Sequence, residues 1–402
     1  HEGATWMVAG ALPGERVRAE VTKRRAGIIE ARALEVISEP HTARLRDPCP
    51  QSGVCGGCDW PHVDPGAGAD LKAAAAAEGA RAFSDLAARL ASAPIHRSAD
   101  GYRLRARLHW EAGQKRLGFY EHRSRRVAPL DSCRILSPRL MRALPQLTHA
   151  LTKSCPEQVD LEWIEGTQAG DTVAALRPAK GGPSKIDRAW VPGADEMDSV
   201  AAGFHALSKK GRLRPAWGAT GVRIELPIPL EVPIGSFFQG NRHLVGPLFL
   251  RVAELVGSDP TPVFDLHAGV GFLAAAARFA GERDLTLVEP HREAAAAAGR
   301  NLPAARVIAG ATAEAFVAAV GELPPEALVI TDPPRTGLSK ALRSDLARWQ
   351  PRRILMLGCD AATWARDAGF LCEHGYQPTV VEIFDLFPST HHVEILALLE
   401  RR

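Results

Sequence analysis

The last third of the chain has the hydrophobic pattern of an α/β domain. Four short apolar runs, PVFDL, LTLVE, ALVIT and RRILMLG, alternate with longer segments of helical spacing from residue 262 onward. This alternation predicts a doubly wound parallel sheet. The chain then ends in TVVEIFDLF and HHVEILALLE with only PST between them. We therefore expect the last two strands to form an antiparallel hairpin.

The first 40 residues predict a small β unit. In ERVRAEV the apolar residues Val17, Ala19 and Val21 alternate with charged residues, which is the period of a half-buried strand. The turn signals LPG and KRRAG flank this run, and the β-rich stretch IIEARALEVI follows it. A few short strands cannot build a large core, so we predict a small barrel, a fold that often binds nucleic acid.

The segment between these regions mixes helical and irregular patterns. Residues 68–91 are rich in Ala, with larger apolar residues at helical spacing, and predict a helix. Residues 178–200 are rich in Gly, Pro and charge and predict a loop. These changes of pattern divide the chain into three predicted domains, residues 1–40, 41–230 and 231–402.

Charge is unevenly distributed along the chain. Residues 1–150 carry 23 Lys and Arg against 16 Asp and Glu, whereas the remaining residues carry 26 against 30. In the basic part, YRLRARLHW predicts a strand with one apolar face and one cationic face, the latter formed by Arg103, Arg105, Arg107 and His109. Because such a face can contact phosphates and stack on bases, we expect it to bind nucleic acid. A basic face that only meets solvent is the alternative.

Length and composition limit the class of protein. The 402 residues suffice for two or three domains, each with its own core. No apolar stretch reaches the roughly 18 to 20 residues of a membrane span, and the start has no signal-peptide pattern. We therefore expect a cytoplasmic protein without membrane contact. The seven cysteines are an odd number in a chain without an export signal, which disfavours a secreted disulfide framework.

Three of the seven cysteines lie within ten residues, in the segment CPQSGVCGGC. Five residues separate Cys49 from Cys55, and two separate Cys55 from Cys58. Clustered cysteines in a reducing compartment more often bind metal than form disulfides. Thiolates suit both zinc and iron–sulfur clusters, so this spacing predicts a metal site without choosing between them.

The segment VFDLHAGVGFLAAAA predicts a strand, a glycine-containing turn and a helix. Gly269 and Gly271 let the backbone approach a ligand at the carboxyl end of the strand, where doubly wound sheets bind ligands. The third glycine of a dinucleotide fingerprint is missing. Glu289 ends the next strand, in a position that commonly binds ribose hydroxyls. Together these features predict an adenosine-type ligand, and a structural turn is the alternative.

Three later polar residues lie where side chains face the same crevice. Asp332 in ITDPPRTGL stands at the tip of a strand, with Arg335 after two prolines. Cys359 follows the next strand at the start of a helix, the position of a nucleophile, and we expect the helix to lower its thiol pKa. Glu394 lies near the turn of the final hairpin. The alternatives are an inert buried cysteine and a solvent-exposed glutamate.

The order of these motifs resembles that of the RNA uridine-5-methyltransferases, in the branch with a TRAM domain and an iron–sulfur cluster. The resemblance covers nearly the whole chain. Its motifs are ALPGERVRAEV, CPQSGVCGGC, LDSCRIL, SFFQGN, DLHAGVG, VEP, DPPRTGL, CDAATWARD and HHVE. It implies an N-terminal TRAM, or OB-like, β-barrel, a central β-rich iron–sulfur domain and a C-terminal Rossmann-like methyltransferase domain.

The resemblance also implies roles for individual residues. The [4Fe–4S] ligands would be Cys49, Cys55, Cys58 and Cys133. The contacts to S-adenosylmethionine would be Gln239, His267, Gly269, Glu289 and Asp332. Cys359 would be the nucleophile and Glu394 the general base, with Asp332 and Arg335 orienting the uracil or the cofactor. The chain departs from the family pattern at or beside these positions, at His267, Ala268, Gly358, Asp360 and Ala361.

The implied reaction is methylation of C5 of a uridine in RNA through a covalent Cys–uracil adduct. Within the family, TRAM plus cluster is the pattern of enzymes for 23S ribosomal RNA, and the T-loop of transfer RNA is the alternative substrate. We expect a monomer. An RNA-binding iron–sulfur protein without catalysis is an alternative of another class. A methyltransferase for exocyclic amines would have an aromatic residue where this chain has Arg335, and it would not need Cys359.

Overall fold

The computed structural model describes residues 4–402. In this part of the chain the strands form four sheets, of three, six, two and eight strands. No helix among these residues is long and apolar enough to cross a membrane. Several helices begin at a polar side chain that accepts a backbone N–H of the first turn, and these caps are Asp64, Ser137, Thr312, Ser339 and Asp360.

The three-stranded sheet lies at the start of the chain. Its strands are β1 (Thr5–Ala9), β2 (Val17–Arg25) and β3 (Ile28–Val36), in the order β1-β3-β2. Strands β2 and β3 form an antiparallel hairpin, and β1 runs parallel to β3. Because β1 and β2 lie at opposite edges, these residues form an open sheet where the sequence predicted a small barrel.

Two helices and a short strand follow, α1 (Pro65–Gly79), α2 (Ser84–Ala91) and β4 (Ile95–His96). The sequence predicted one helix over residues 68–91, but the chain turns between α1 and α2. Both helices bury small and branched side chains in the same core cluster as the C-terminal helices, and β4 pairs in parallel with a C-terminal strand. Residues 65–96 therefore pack on the C-terminal sheet, although the sequence assigned them to the central domain.

The central sheet has the order β10-β9-β8-β7-β5-β6. Its strands are β5 (Arg105–Glu111), β6 (Arg116–Gly118), β7 (Val159–Glu165), β8 (Thr172–Pro178), β9 (Gly203–Leu207) and β10 (Leu213–Gly218). Helix α3 (Pro138–Ser154) packs its apolar side chains in one core with this sheet. The predicted loop over residues 178–200 contains the one-turn helix α4 (Ala194–Met197). A two-stranded hairpin, β11 (Gly221–Ile224) and β12 (Leu230–Pro233), leads to the C-terminal part.

The eight-stranded sheet has the order β15-β14-β13-β16-β17-β19-β18-β4. Its C-terminal strands are β13 (Val263–Asp265), β14 (Leu285–Glu289), β15 (Arg306–Ala309), β16 (Leu328–Thr331), β17 (Arg353–Gly358), β18 (Tyr376–Phe384) and β19 (Glu394–Arg401). The helices are α5 (Val245–Val256), α6 (Phe272–Ala280), α7 (Arg292–Asn301), α8 (Ala313–Val320), α9 (Lys340–Trp349) and α10 (Ala361–Glu373).

Strands β13 to β17 are parallel, and β19 inserts antiparallel between β17 and β18. This arrangement confirms the predicted Rossmann-like sheet with a terminal antiparallel hairpin. Because parallel strands end at one edge, the loops after β13, β14, β16 and β17 meet there, which is where such sheets bind ligands.

Candidate active site

A pocket opens beyond the carboxyl end of β13. It is lined by three of the predicted cofactor residues that lie far apart in sequence, Gln239, His267 and Asp332, together with Gly269. Gly269 and Gly271 have φ of +54° and +90°, a backbone region that favours glycine. A Cβ on Gly271 would lie 3.2 Å from Leu302, so the glycine also permits close packing of the turn. The structure thus brings four of the five predicted cofactor residues to one cavity.

Glu289 closes one side of this turn. Its Oε2 accepts a hydrogen bond from the Gly269 N–H at 2.8 Å, and its Oε1 accepts one from the His291 N–H at 2.7 Å. The carboxylate therefore holds the glycine turn against the end of β14. Its place beside the pocket agrees with the expected contact to a ribose, and that contact stays a prediction.

His267 uses its side chain within the protein. Its Nδ1 lies 2.9 Å from the Thr331 hydroxyl at the end of β16, and burial lowers the pKa of the imidazole to about 4. The ring is therefore neutral near pH 7. Because the ring is bonded to the neighbouring strand, the backbone at His267 is the part available to a ligand.

Asp265 is a site residue that the sequence reasoning did not single out. It ends β13, is fully buried, and accepts a hydrogen bond from the His267 N–H through Oδ1 at 3.3 Å. Its Oδ2 has no hydrogen-bond partner within residues 4–402. Burial raises the pKa of Asp265 to about 7, and the nearby Asp332 and Glu289 carboxylates add to the rise. The available signal was an acidic residue at the last position of a strand before a glycine turn.

Gln239 and Asp332 connect the cofactor pocket to the catalytic candidates. The Gln239 Nε2 donates to the Asp332 Oδ2 at 3.2 Å. Burial raises the pKa of Asp332 to about 7, and the Gln239 hydrogen bond opposes this rise. Asn241, the last residue of SFFQGN, is fully buried, and its amide donates to the Leu386 carbonyl and the Ser98 hydroxyl, both at 2.9 Å. Asn241 therefore fixes the loop rather than lining the pocket.

Cys359 and Glu394 come together through the pairing of β17 with β19. Gly358 is the register partner of Ile395 in this antiparallel pair, so the next positions, Cys359 and Glu394, are neighbours at the sheet edge. They lie 35 residues apart in the chain. This juxtaposition of a thiol and a carboxyl, beside Asp332, is what the sequence predicted.

The proton state of Cys359 differs from the prediction. Helix α10 does begin at Ala361, just after the thiol. Burial nevertheless raises the Cys359 pKa to about 12, and the carboxyl groups of Glu394 and Asp332 add to this rise, whereas Arg335 opposes it. The expected lowering by the helix is therefore wrong for this state of the protein, because desolvation and two acidic neighbours outweigh the helix N-terminus.

The surroundings of Glu394 favour its acid form. Its side chain is buried, and within the described residues its Oε2 has no hydrogen-bond partner. Burial raises the pKa of Glu394 well above its ordinary value, and Asp332 contributes, whereas Arg335 opposes. Arg335 itself is exposed and donates to the His392 Nε2 at 2.9 Å. The buried Glu394 thus forms an acidic group with the half-buried Asp332 and Cys359, and Arg335 is a nearby cation.

The four predicted metal ligands surround a second pocket. Cys49, Cys55, Cys58 and Cys133 all line it, and burial raises the pKa of Cys58 to about 12. Gly57 is required here, because a Cβ at this position would lie 2.8 Å from the Phe119 ring. The remaining two cysteines belong to neither site. Cys155 is buried in the core behind the central sheet, and Cys372 lies in α10.

The spacing of these sulfurs bears on the choice between zinc and a cluster. A tetrahedral zinc site with Zn–S of about 2.3 Å places its sulfurs about 3.8 Å apart. No three of the four cysteine sulfurs lie within 4.8 Å of one another. Among residues 4–402, the only three ligand atoms of His, Cys, Asp or Glu that lie this close together belong to Asp59, His391 and His392. The cysteine pocket is therefore wider than a single zinc ion requires.

The group of Asp59, His391 and His392 is a poor candidate for a metal. His391 and Asp59 are already hydrogen-bonded at 2.6 Å, and the Arg335 guanidinium contacts His392. A guanidinium at this position repels a second cation. We interpret the three residues as a link between two loops.

The cationic face predicted for β5 is neutralised in part. Glu162 on the neighbouring strand β7 is buried and accepts from three guanidinium groups, at 3.3 Å from Arg105 and 2.8 Å from Arg107, and also from Arg177. His109 pairs with Asp160 in the same way. The sequence could not show this, because the acids stand on β7, more than 50 residues away. Three guanidiniums on one carboxylate still leave excess positive charge.

Arg103 does not belong to this face. Strand β5 begins only at Arg105, and the Arg103 guanidinium lies 5.8 Å from the centre of the Phe119 ring. Its positive charge lowers the pKa of Cys58 and of Cys133 against the larger effect of burial. Arg103 therefore contributes its charge to the cysteine pocket.

No protein-family model matches the chain. The 23S rRNA (uracil(1939)-C(5))-methyltransferase RlmD of Alkalilimnicola ehrlichii is 33% identical over 425 residues, which covers 100% of this chain and 93% of the relative. RlmD of Pseudomonas aeruginosa is 30% identical over 416 residues, with 100% and 90% covered. An uncharacterized RNA methyltransferase of Streptomyces avermitilis is 32% identical, with 99% and 93% covered.

Among solved structures, the chain shares its fold with the tRNA (uracil-54, C5)-methyltransferase of Pyrococcus abyssi in complex with S-adenosyl-L-homocysteine. The TM-score is 0.72 at 20% identity, and the match covers 98% of this chain and 94% of the other. The extent of the sequence relationship, over essentially the whole length, and the shared fold lead to one assignment: this chain belongs to the family of RNA uracil-C5 methyltransferases.

Proposed function

We propose that this protein methylates C5 of a uridine in 23S ribosomal RNA, with S-adenosylmethionine as methyl donor and Cys359 as covalent catalyst. The observation that carries the proposal is the strand pairing that places Cys359 beside Glu394, with Asp332 between them and the pocket of Gln239, His267 and Gly269. A structural cysteine would not need two acidic neighbours. The relatives named for 23S rRNA support the choice of substrate.

The chemistry explains why a thiol is needed. C5 of uracil is a poor nucleophile. When the Cys359 sulfur bonds to C6, the ring becomes an enolate with carbanion character at C5, and C5 can then take the methyl group. S-adenosylmethionine supplies that methyl group, bonded to a positively charged sulfur. Cys359 thus divides one difficult step into two easier ones.

Glu394 completes the cycle. After methylation, C5 carries both a proton and the methyl group. The Glu394 carboxylate accepts the proton, and the electron pair of the broken C–H bond restores the C5–C6 double bond while the Cys359 thiolate leaves. Glu394 must be ionised at this step. Its raised pKa makes the ionised carboxylate a stronger base for this proton.

Desolvation and the two neighbouring acids imply that Cys359 is a thiol until a cation enters the site. Near pH 7 an isolated thiol whose pKa is raised to about 12 is almost entirely protonated. A sulfonium near Asp332 would favour the charged forms of all three acidic groups, in the opposite direction to burial. This coupling would keep the nucleophile inactive until the methyl donor is bound.

We expect alkylation of Cys359 by iodoacetamide to be slow at pH 8 and to rise about tenfold per pH unit up to pH 10, because the reactive thiolate increases with pH below the thiol pKa. S-adenosylmethionine should accelerate the reaction more than the neutral S-adenosylhomocysteine does, since the two differ in charge. Mass spectrometry of the Cys359 peptide measures the rate. Cys372 in α10 is the internal control and should respond to neither ligand. Equal rates with both ligands would contradict the charge argument.

The substrate class is tested by transfer of a labelled methyl group to RNA. We expect incorporation into transcribed 23S rRNA and 5-methyluridine in its digest. A transfer RNA transcript and a 16S rRNA transcript are the comparison substrates. Incorporation into transfer RNA alone would replace the proposed substrate by the alternative one. RNA binding without incorporation into any of them would favour a non-catalytic RNA-binding protein.

For the cysteine pocket we propose a [4Fe–4S] cluster held by Cys49, Cys55, Cys58 and Cys133. The residues fit such a group, because four thiols line one largely apolar cavity that is wider than a zinc site. Arg103 adds a positive charge that compensates thiolate charge. The methyl transfer needs no electrons, so the cluster would organise the protein rather than take part in redox chemistry.

We propose that RNA binds across the N-terminal sheet, interpreted as a TRAM domain, and the face of β5, β7 and β8 that carries the Glu162 cluster. Within this face Arg107 is the most exposed of the three guanidinium groups, at 47% for its side chain. Its ion pair to the buried Glu162 holds the guanidinium in place before RNA arrives. The exposed edge of that guanidinium can then contact a phosphate at little entropic cost.

We expect Arg107→Gln to weaken RNA binding and to reduce the slope of log K against log salt by about 0.7 to 0.9, the value of one lost phosphate contact. Binding of S-adenosylmethionine should not change. Arg300→Gln is the matched control, since Arg300 is similarly exposed and paired with Glu231 on another part of the surface. An unchanged slope in Arg107→Gln would mean that this face meets only solvent.

A further inference from the structure

The loop that leads to the proposed base is anchored by residues between Asp59 and Tyr102. Residues 385–393, here called the base loop, connect β18 to Glu394. At its start, the Lys72 ammonium on α1 is buried and contacts the Asp385 carboxylate at 2.6 Å and the Phe387 carbonyl at 2.9 Å. A buried ion pair of this kind strongly resists separation, because either partner alone would be an uncompensated charge.

The middle of the base loop contacts the cysteine segment. Trp60 lies two residues after Cys58, and its backbone N–H donates to the Ser389 carbonyl at 3.0 Å. Ser389 also lines the cysteine pocket and has φ of +63°, a strained value for a residue other than glycine. Such a conformation persists only where the surroundings impose it. Ser389 therefore belongs both to the base loop and to the wall of the cysteine pocket.

Two further contacts extend this anchoring. The buried Tyr102 hydroxyl donates to the Pro388 carbonyl at 3.3 Å, and Asp59 contacts His391 at 2.6 Å. Residues 388, 389 and 391 of the base loop are thus each held by a residue that lies between 59 and 102. The cofactor pocket is lined instead by residues 237–239, 267–273 and 332.

We propose that the cysteine pocket positions the general base: a group bound by the four cysteines fixes residues 58–60, and these hold the base loop so that Glu394 faces Cys359. Tyr102 is a positioning residue in this arrangement. The inference rests on the proposed function. It predicts that emptying the pocket impairs proton removal from C5 and leaves S-adenosylmethionine binding intact.

The first test is hydrogen exchange of the full-length protein, as purified without oxygen and after removal of its iron with a chelator. We expect the amides of the base loop to lose protection by about tenfold or more, while those of residues 263–273 in the cofactor pocket keep theirs. Binding of S-adenosylmethionine is measured on the same samples and should be unchanged. Equal protection of the base loop in both samples would overturn the proposal.

The second test does not depend on iron. Tyr102→Phe removes one hydrogen bond to the base loop, and we expect kcat to fall roughly twofold to tenfold with KM for S-adenosylmethionine unchanged. A covalent protein–RNA complex should accumulate on ordinary uridine RNA, because proton removal becomes slow. Tyr376→Phe is the matched control: its hydroxyl is also buried and donates to a proline carbonyl, of Pro351 at 2.7 Å.

The outcomes separate this inference from the proposed function. If Tyr102→Phe and Tyr376→Phe behave alike and no complex accumulates, the positioning role is wrong while wild-type methylation stands. If the wild-type protein transfers no methyl group to RNA, the proposed function itself fails. A fall in RNA affinity without complex accumulation would assign Tyr102 and the pocket to RNA binding and overturn the positioning role.

Discussion

RNA that contains 5-fluorouridine at the target position is expected to trap the protein as a stable covalent complex in the presence of S-adenosylmethionine. Addition of the Cys359 sulfur to C6 and methylation of C5 proceed as with uridine. Release then stalls, because fluorine cannot leave as a cation and Glu394 has no proton to remove. Denaturing gels of the protein with labelled RNA show the complex as a band of reduced mobility.

Two substitutions separate the roles of the residues that β17 and β19 bring together. Cys359→Ala should form neither complex nor product, a loss of at least about a thousandfold in turnover. Glu394→Gln should still add to the ring and methylate it but fail to remove the C5 proton. We therefore expect the Glu394→Gln complex to accumulate on ordinary uridine RNA as well.

Cys372→Ala is the control, because this half-buried cysteine of α10 lies outside the site and should leave trapping unchanged. Full turnover by Cys359→Ala would end the covalent mechanism. If Cys359→Ala still forms the covalent complex and Cys372→Ala does not, the nucleophile is Cys372.

Protein purified without oxygen is expected to be brown and to contain about four irons per chain, as a [4Fe–4S] cluster requires. Cys133→Ser should lose most of this iron, because Cys133 is the proposed fourth ligand and lines the same pocket as the cysteines of the CPQSGVCGGC loop. The loss of iron is measured by the visible charge-transfer absorbance of the protein and by a direct iron assay.

Cys372→Ser provides the matched comparison, since it removes a cysteine of similar exposure outside the pocket and should retain the iron. Stoichiometric zinc without iron in the anaerobic wild-type protein would contradict the cluster. Retention of iron in Cys133→Ser would mean that another residue supplies the fourth ligand.

Much of the C-terminal fold could be predicted from local sequence. The apolar runs that end at Asp265, Glu289, Thr331 and Gly358 became parallel strands of one sheet, and the last two strands became the expected hairpin. Strand ends in such a sheet share an edge, so residues that directly follow them could be assigned to one site without coordinates. Cys359 was identified in this way.

Elements with weaker local signals were predicted less well. The Ala-rich residues 68–91 form two helices, because Ala-rich sequence favours helix everywhere and does not mark where the chain turns. Their packing on the C-terminal sheet depends on partners such as Leu342 and Trp364, which lie more than 250 residues away. In β2 the predicted alternation of burial holds from Val17 to Glu20, but Val21 is exposed. Whether the strands close into a barrel depends on strand pairing, which alternation alone does not show.

The sequence by itself determined which chemical groups the protein has. It placed the thiol of Cys359 and the carboxyls of Asp332 and Glu394 at strand ends, and it placed three clustered cysteines in the CPQSGVCGGC loop. Only the tertiary structure decided the charge of these groups. A pKa depends on burial and on neighbouring charges, and here the neighbours come from different strands: Glu394 beside Cys359, and Glu162 beneath Arg105 and Arg107. Residues that are distant in the chain become close only when the sheet forms, so no local pattern carries that information.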